Sequence, residues 1–213
     1  MIDWWFSWMH DTQQYKLWHP RDHVFSDWKG PTGNNSSYIS KFREFIVRSF
    51  VLLPSNKRLS SESPGGQHQV HEYIGGQFAK LAVSFKDPSV YFGASWKEDF
   101  KRAGYSTAVC ARTGDLKDDG SVTYIGHLIH LIKEEPDGCR MRSRFWMGDV
   151  DGITELEKRA ALTPPNMLAG LVKHATEEMA ILATRLPSLY LDFRPRATGS
   201  ARIGHEGGMA MFF

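Results

Sequence analysis

The segment His174-Ala175-Thr176-Glu177-Glu178 sets an imidazole and a carboxylate four residues apart within a strongly helical stretch. Positions i and i+4 of a helix lie one above the other, so both side chains can reach one metal ion. Further candidate donors stand in Tyr15-Lys16-Leu17-Trp18-His19-Pro20-Arg21-Asp22-His23 and in His71-Glu72. Together they describe a centre of two histidines and two carboxylates, a donor set suited to zinc or a similar divalent ion. Taken alone, each piece has a plainer reading. An HxxxE pair is often a solvated i,i+4 contact. His19 can pack on Trp18 and cap a turn, and His23 can hydrogen-bond locally with Asp22. Pro20 argues against a continuous helix through His19 and His23, and either could be a ligand.

The elements that must position these groups follow from pattern. Trp4, Trp5, Trp8, Tyr15 and Trp18 fall at mixed three- and four-residue spacings, which predicts a short amphipathic helix over residues 2 to 18, ended by Pro20. From Gln67 to Phe145 short β-prone runs alternate with turn residues. They are Val70–Ile74, Ala82–Phe85, Thr107–Ala111, Thr123–Ile132 and Met141–Trp146, with hairpin turns at Asp118-Asp119-Gly120 and Glu135-Pro136-Asp137-Gly138. An antiparallel sheet is expected. Period-two alternation puts Glu72 on one face with His68 and Val70, and His71 on the other. His127 and His130 likewise fall on opposite faces, and Arg142 and Arg144 share one. Thr163-Pro164-Pro165 opens a long core-facing helix, with the threonine hydroxyl as its cap and a stop near Pro187; His174 and Glu178 flank its apolar stripe. The fold class is α+β.

Composition narrows the function. The chain has 213 residues, enough for one sizeable core, and a net charge of +2 carried by scattered basic residues, so no nucleic-acid partner is expected. Cys110 and Cys139 match neither a disulfide framework nor a CxxC knuckle, which favours a reducing compartment. Met1-Ile2-Asp3-Trp4-Trp5 lacks the basic start of a secretory signal. The longest apolar patch, Phe45–Leu53, is broken by Arg48 and Ser49, so no membrane span is expected and the cytoplasm is the default location. Residues 1–193 are expected to form one domain, with 194–213 a loose tail. Ser40–Pro64 is anomalous within it. Ser-Lys can be encoded by AGT-AAG, which contains the splice donor GTAAG, and Pro-Gly by CCA-GGN, which contains the acceptor CAG. Translation of a retained intron and an ordinary surface insertion stand as equal readings.

The blocks Trp4-Trp5-Phe6, Tyr15–His23, His71-Glu72-Tyr73-Ile74-Gly75-Gly76 and Gly138–Trp146, with the His174/Glu178 pair, resemble in order and combination the 2,4-diacetylphloroglucinol hydrolase family, which includes phloretin hydrolase. The likeness runs from about residue 2 to residue 193, apart from Ser40–Pro64. It implies a START-like helix-grip fold, a curved antiparallel sheet around a long C-terminal helix. It also implies a zinc-dependent hydrolase that cleaves the bond between an acyl group and a polyhydroxylated aromatic ring. Carried over by residue, the zinc ligands are His23, Glu72, His174 and Glu178. His23 is preferred to His19 because its distance from Tyr15 fits the family's pairing of a substrate-binding tyrosine with the first ligand. Tyr15 and His130 become the catalytic and substrate-binding pair. Phe145 stands where a second phenol is expected, and Arg140 where an acid is expected. The implied partner is a small phenolic ketone, with a homodimer as an option. The rival reading is a non-catalytic helix-grip carrier of hydrophobic or phenolic ligands.

Overall fold

The structure, a computed structural model, describes residues 1–29 and 66–193. The Ser40–Pro64 segment and the 194–213 tail lie outside the described residues. The framework is one six-stranded antiparallel sheet whose strands are neighbours in chain order: β1 His23–Lys29, β2 Gln67–Ile74, β3 Gln77–Lys86, β4 Thr107–Leu116, β5 Val122–Glu135 and β6 Gly138–Met147. Helices α1 Ile2–Trp8 and α2 Thr12–Trp18 precede it, α3 Ser89–Phe92 and α4 Trp96–Ala103 lie between β3 and β4, and α5 Leu156–Leu162 leads into the 29-residue α6, Pro165–Phe193.

One face of the sheet carries the main core. Val70, Phe85, Val109, Leu128 and Ile132 pack there against Trp5, Phe6 and Met9 near the N-terminus, and against Leu182 and Leu186 of α6. Burying side chains of this size contributes about 1.5–3 kcal/mol each. On the opposite face, Phe100 of α4 covers Ala108, Cys110 and Ile129. Thr107–Ala111 is therefore buried on both faces and reads as an unbroken apolar run. Also on this outer face, Arg112 donates to Asp149 Oδ2 at 2.5 Å and to Asp151 Oδ1 at 2.6 Å, tying the segment after β6 to the sheet. Cys110 is a buried free thiol and Cys139 an exposed one.

Several elements differ from the pattern-based expectation. The N-terminal helix is two helices, because the Asp11 side chain accepts from the Gln14 backbone N–H at 2.8 Å and caps a new start. Thr163 does not cap α6; its hydroxyl donates back to the Arg159 carbonyl at 3.0 Å and helps close α5. Nor does α6 stop at Pro187, which lies inside it. Leu186 and Leu189 are held in the core on either side of the proline, and Trp4 meets Tyr190 edge-on at 5.3 Å, so tertiary contacts offset the lost backbone hydrogen bond.

Strand β1 carries no readable alternation, since a register shift between His23 and Phe25 leaves Val24 and Phe25 both exposed. The hairpin from β2 to β3 turns through Gly75 and Gly76, both at positive φ. A Cβ on Gly75 would sit 2.8 Å from the Gly170 Cα, so this turn and α6 meet backbone to backbone. That contact falls one helical turn before His174.

Candidate metal centre

Strand pairing does the first part of the assembly, because His23 and Glu72 are Cα partners across β1 and β2. The second part comes from α6, whose buried His174 and Glu178 face the same point from one helix side. Four atoms converge there. His23 Nε2 lies 3.4 Å from Glu72 Oε2 and 3.4 Å from Glu178 Oε2, and His174 Nε2 lies 3.5 Å and 3.8 Å from the same two oxygens. All four residues are buried, and neither Nε2 atom has a hydrogen-bond partner. Orphaned imidazole nitrogens facing two carboxylates across these gaps are costly unless a cation or protons fill the space. Two N and two O donors in one buried cluster suit a zinc-like ion.

The tautomers separate the two N-terminal histidines. His23 Nδ1–H donates to the Tyr15 carbonyl at 3.0 Å, which leaves its Nε2 lone pair aimed at the cluster. His19 is the reverse. Its Nδ1 accepts the Asp22 backbone N–H at 3.1 Å, so the proton of the neutral ring is on Nε2, and that atom faces Asp22 and Glu177 instead. Asp22, for which a local bond to His23 was one sequence reading, turns its carboxylate towards His19 and His174.

Burial and charge set the protonation states in opposing directions. Burial raises the Glu178 carboxyl above its ordinary range, and His23 and His174 offset this only in part. Burial acts on Glu72 the same way but is outweighed by His174 and His23, so its carboxyl is lowered. For His174, burial alone would lower the value; the nearby Glu72 carboxylate, followed by Glu178 and Asp22, pushes it up to about 9. The buried Tyr15 phenol is raised well above its usual value by desolvation and by Glu72, to which it donates a short hydrogen bond, and its ring stacks on His23 at 3.7 Å.

Glu72, His174 and Glu178 of the cluster line a cavity of about 400 Å³. Tyr15, His130 and Phe145 line it as well. His130 is fully buried, its Nδ1 has no partner among the described residues, and burial lowers its pKa to about 4, so it is neutral at ordinary pH. Its ring lies 6.2 Å from that of Phe145, edge to face. The walls are largely apolar, with Val70, Leu81, Val83 and Leu128 among them, and no lysine or arginine lines the cavity among the described residues. His127 is on the outer face, 2.7 Å from Asp149. Arg140 is exposed and pairs with Glu135 at 3.5 Å.

Two features escaped the sequence reading. His68 also lines the cavity, with Nε2 2.6 Å from Ser26 Oγ and its ring on Trp28, and burial lowers its pKa to about 3. The shared face with Glu72 was the available signal. Asn166, Met167 and Leu171 of α6 contribute to the wall, and nothing in their types announced it.

Known proteins resemble this chain in sequence. The chain is 28% identical over 204 residues to the phloretin hydrolase of Eubacterium ramulus, which covers 90% of this chain and 62% of that protein. It is 26% identical over 207 residues to the 2,4-diacetylphloroglucinol hydrolase of Pseudomonas protegens, covering 91% of this chain and 60% of that one. A 2,4-diacetylphloroglucinol hydrolase from a Pseudomonas species is 25% identical over 207 residues, 91% of this chain and 63% of the relative. The chain thus spans less than two thirds of the length of these curated relatives. A family model described as the DAPG hydrolase PhiG domain matches residues 1–191, and the chain belongs to that family.

Proposed function

We propose that this chain is a zinc-dependent hydrolase of acylphloroglucinol-type ketones, with His23, Glu72, His174 and Glu178 as the metal ligands. The observation that carries the reading is the convergence of two imidazole nitrogens and two carboxylate oxygens beside a cavity that Tyr15 and His130 also line. Family membership supports the hydrolase, and the donor chemistry supports the ion. The sheet closing on α6 supports a helix-grip architecture. A cavity with no lysine or arginine among the described residues suits a neutral phenol better than a phosphorylated or carboxylated ligand.

When bound, a divalent ion supplies Lewis acidity at the ketone and lowers the pKa of water towards neutrality. The chain's own groups do the rest. Water oxygen adds to the acyl carbon, the carbon–carbon bond breaks, and its electron pair goes to the ring carbon, which must take a proton. A ring carbon is a poor leaving group unless the ring first reaches a keto tautomer, which several hydroxyls make accessible. Tyr15, protonated, holds a ring oxygen beside Glu72. His130, neutral, accepts a hydroxyl proton and returns one to the departing carbon. Phe6, Trp18 and Phe145 exclude bulk water from the ring. Phe145 offers no phenol oxygen, so the substrate is oriented by Tyr15 and His130 without a third contact there. The products are a carboxylic acid and the deacylated phenol.

Metal analysis beside an acylphloroglucinol cleavage assay tests this. The wild type is expected to hold one ion per chain and to turn over, and His174→Ala and Glu178→Ala to lose both. Unchanged turnover in the two variants overturns the assigned roles. A wild type that retains phenolic ligands with no metal and no turnover is a carrier instead.

A further inference from the structure

On the side of His174 away from the cavity, a group of ionisable side chains takes no part in the reaction just described. Asp22 is at its centre. Its Oδ2 lies 3.5 Å from His174 Nδ1 and 3.6 Å from His19 Nε2, while its Oδ1 accepts from Arg21 Nε at 2.8 Å. Glu177 Oε2 lies 3.6 Å from His19 Nε2 and 3.4 Å from Arg21 Nη2. The His19 and His174 rings stack at 5.2 Å with 18° between their planes.

These positions resemble a second cation pocket, but proton bookkeeping argues otherwise. His19 Nδ1 is occupied as an acceptor, so Nε2 carries the hydrogen and offers no lone pair to an ion. His19 instead presents a donor to the two carboxylates, as Arg21 does. His174 has the complementary requirement: once its Nε2 lone pair is given to a cation, the ring hydrogen sits on Nδ1, an atom with no closer partner than Asp22 Oδ2 at 3.5 Å.

We propose that Asp22 is a positioning residue whose carboxylate receives the His174 Nδ1–H and so fixes the tautomer and ring plane that aim His174 Nε2 at the cation, with Arg21 and His19 holding that carboxylate in place. The inference rests on the metal centre proposed above. Histidine ligands commonly hand their second ring N–H to a carboxylate, which orients the ring and strengthens the ligand, and losing that partner typically weakens metal binding by about 10–100-fold. The segment from Trp18 to His23 then serves the centre twice. His23 reaches it directly, and Asp22 reaches it through the histidine of a helix more than 150 positions on.

Zinc titration of the full-length chain against a competing chromophoric chelator tests this with the wild type, Asp22→Asn and Asp22→Ala. The wild type is expected to bind one ion. Asp22→Ala is expected to bind one ion about 10–100-fold more weakly, with a changed visible spectrum in the cobalt-substituted form and a metal-free melting temperature close to that of the wild type. Asp22→Asn, which keeps an acceptor oxygen without the charge, should fall between the two. Zinc affinities within twofold of wild type in both variants overturn the proposal. So does a wild type with two ions of which Asp22→Ala loses one, since Asp22 is then a ligand. A wild type that binds no zinc overturns the metal centre itself, a result that the variants are not needed to see.

Discussion

Two histidines that line the same cavity are driven in opposite directions by their surroundings. His130, enclosed by Phe6 and Phe145, has its pKa lowered to about 4, whereas His174, held by Glu72, has it raised to about 9. The signs give the metal-free protein two pH limits. The His174 contribution is fully present below the unfolded value near 6.5 and is lost as pH rises through 9. The His130 contribution is present above 6.5 and is lost as pH falls towards 4, and at about 1.4 kcal/mol per unit it amounts to roughly 3 kcal/mol. Chelator-treated protein should therefore melt highest near neutrality and lower at both pH 5 and pH 9, and His174→Gln should flatten the alkaline limb. A melting temperature that climbs steadily from pH 7 to pH 9 would contradict this assignment. Because a cation displaces the His174 proton, zinc should also bind more tightly as pH rises over the same interval.

Among the elements, the contact of the β2–β3 turn with α6 governs how far Glu72 stands from His174. Gly75 has φ +58° and its missing Cβ faces Gly170 backbone, while neighbouring Gly76 has φ +82° and open space around it. Alanine at Gly76 should cost only the strain of a left-handed residue, about 1 kcal/mol. At Gly75 it must also push α6 away, so Gly75→Ala should melt lower than Gly76→Ala and bind zinc more weakly. Equal effects from the two would show that the turn does not set the helix position. How legible these elements were depends on the range of the forces that fix them. The β2 to β6 strands and the α6 helix could be read because alternation, turn glycines and a helical stripe are local signals. Strand β1 could not, since its bulge scrambles the alternation. The passage of α6 through Pro187 was hidden for a different reason: what holds it, Leu186, Leu189 and the Trp4–Tyr190 contact, is tertiary. Among the site residues, His174 and Glu178 announce themselves by spacing, His23 and Glu72 needed the family likeness, and Asp22 emerged only when its neighbours in space were known.

Across the described residues, the proposed centre joins the first two strands and α6 through four side chains that span residues 23 to 178. An ion that binds only the folded form stabilises it by roughly 4 kcal/mol at a free concentration a thousand times its dissociation constant. For a chain of this size each kcal/mol raises the melting temperature by about 2–4 °C. Saturating zinc should accordingly raise the wild-type midpoint by about 8–16 °C, with EDTA reversing the shift and His174→Ala abolishing it. A midpoint indifferent to zinc would mean that the cluster is not linked to folding.

The chain-order sheet bears on how the protein is made. Each hairpin pairs with the strand synthesised just before it, so the sheet can assemble progressively as it leaves the ribosome. The proposed metal centre has no such early form. Its third and fourth donors emerge only with α6, and a nascent chain halted ahead of residue 174 would carry a paired sheet without them. In the proposed centre, metal can therefore be taken up only after α6 has emerged, when the scaffold that would receive it already exists.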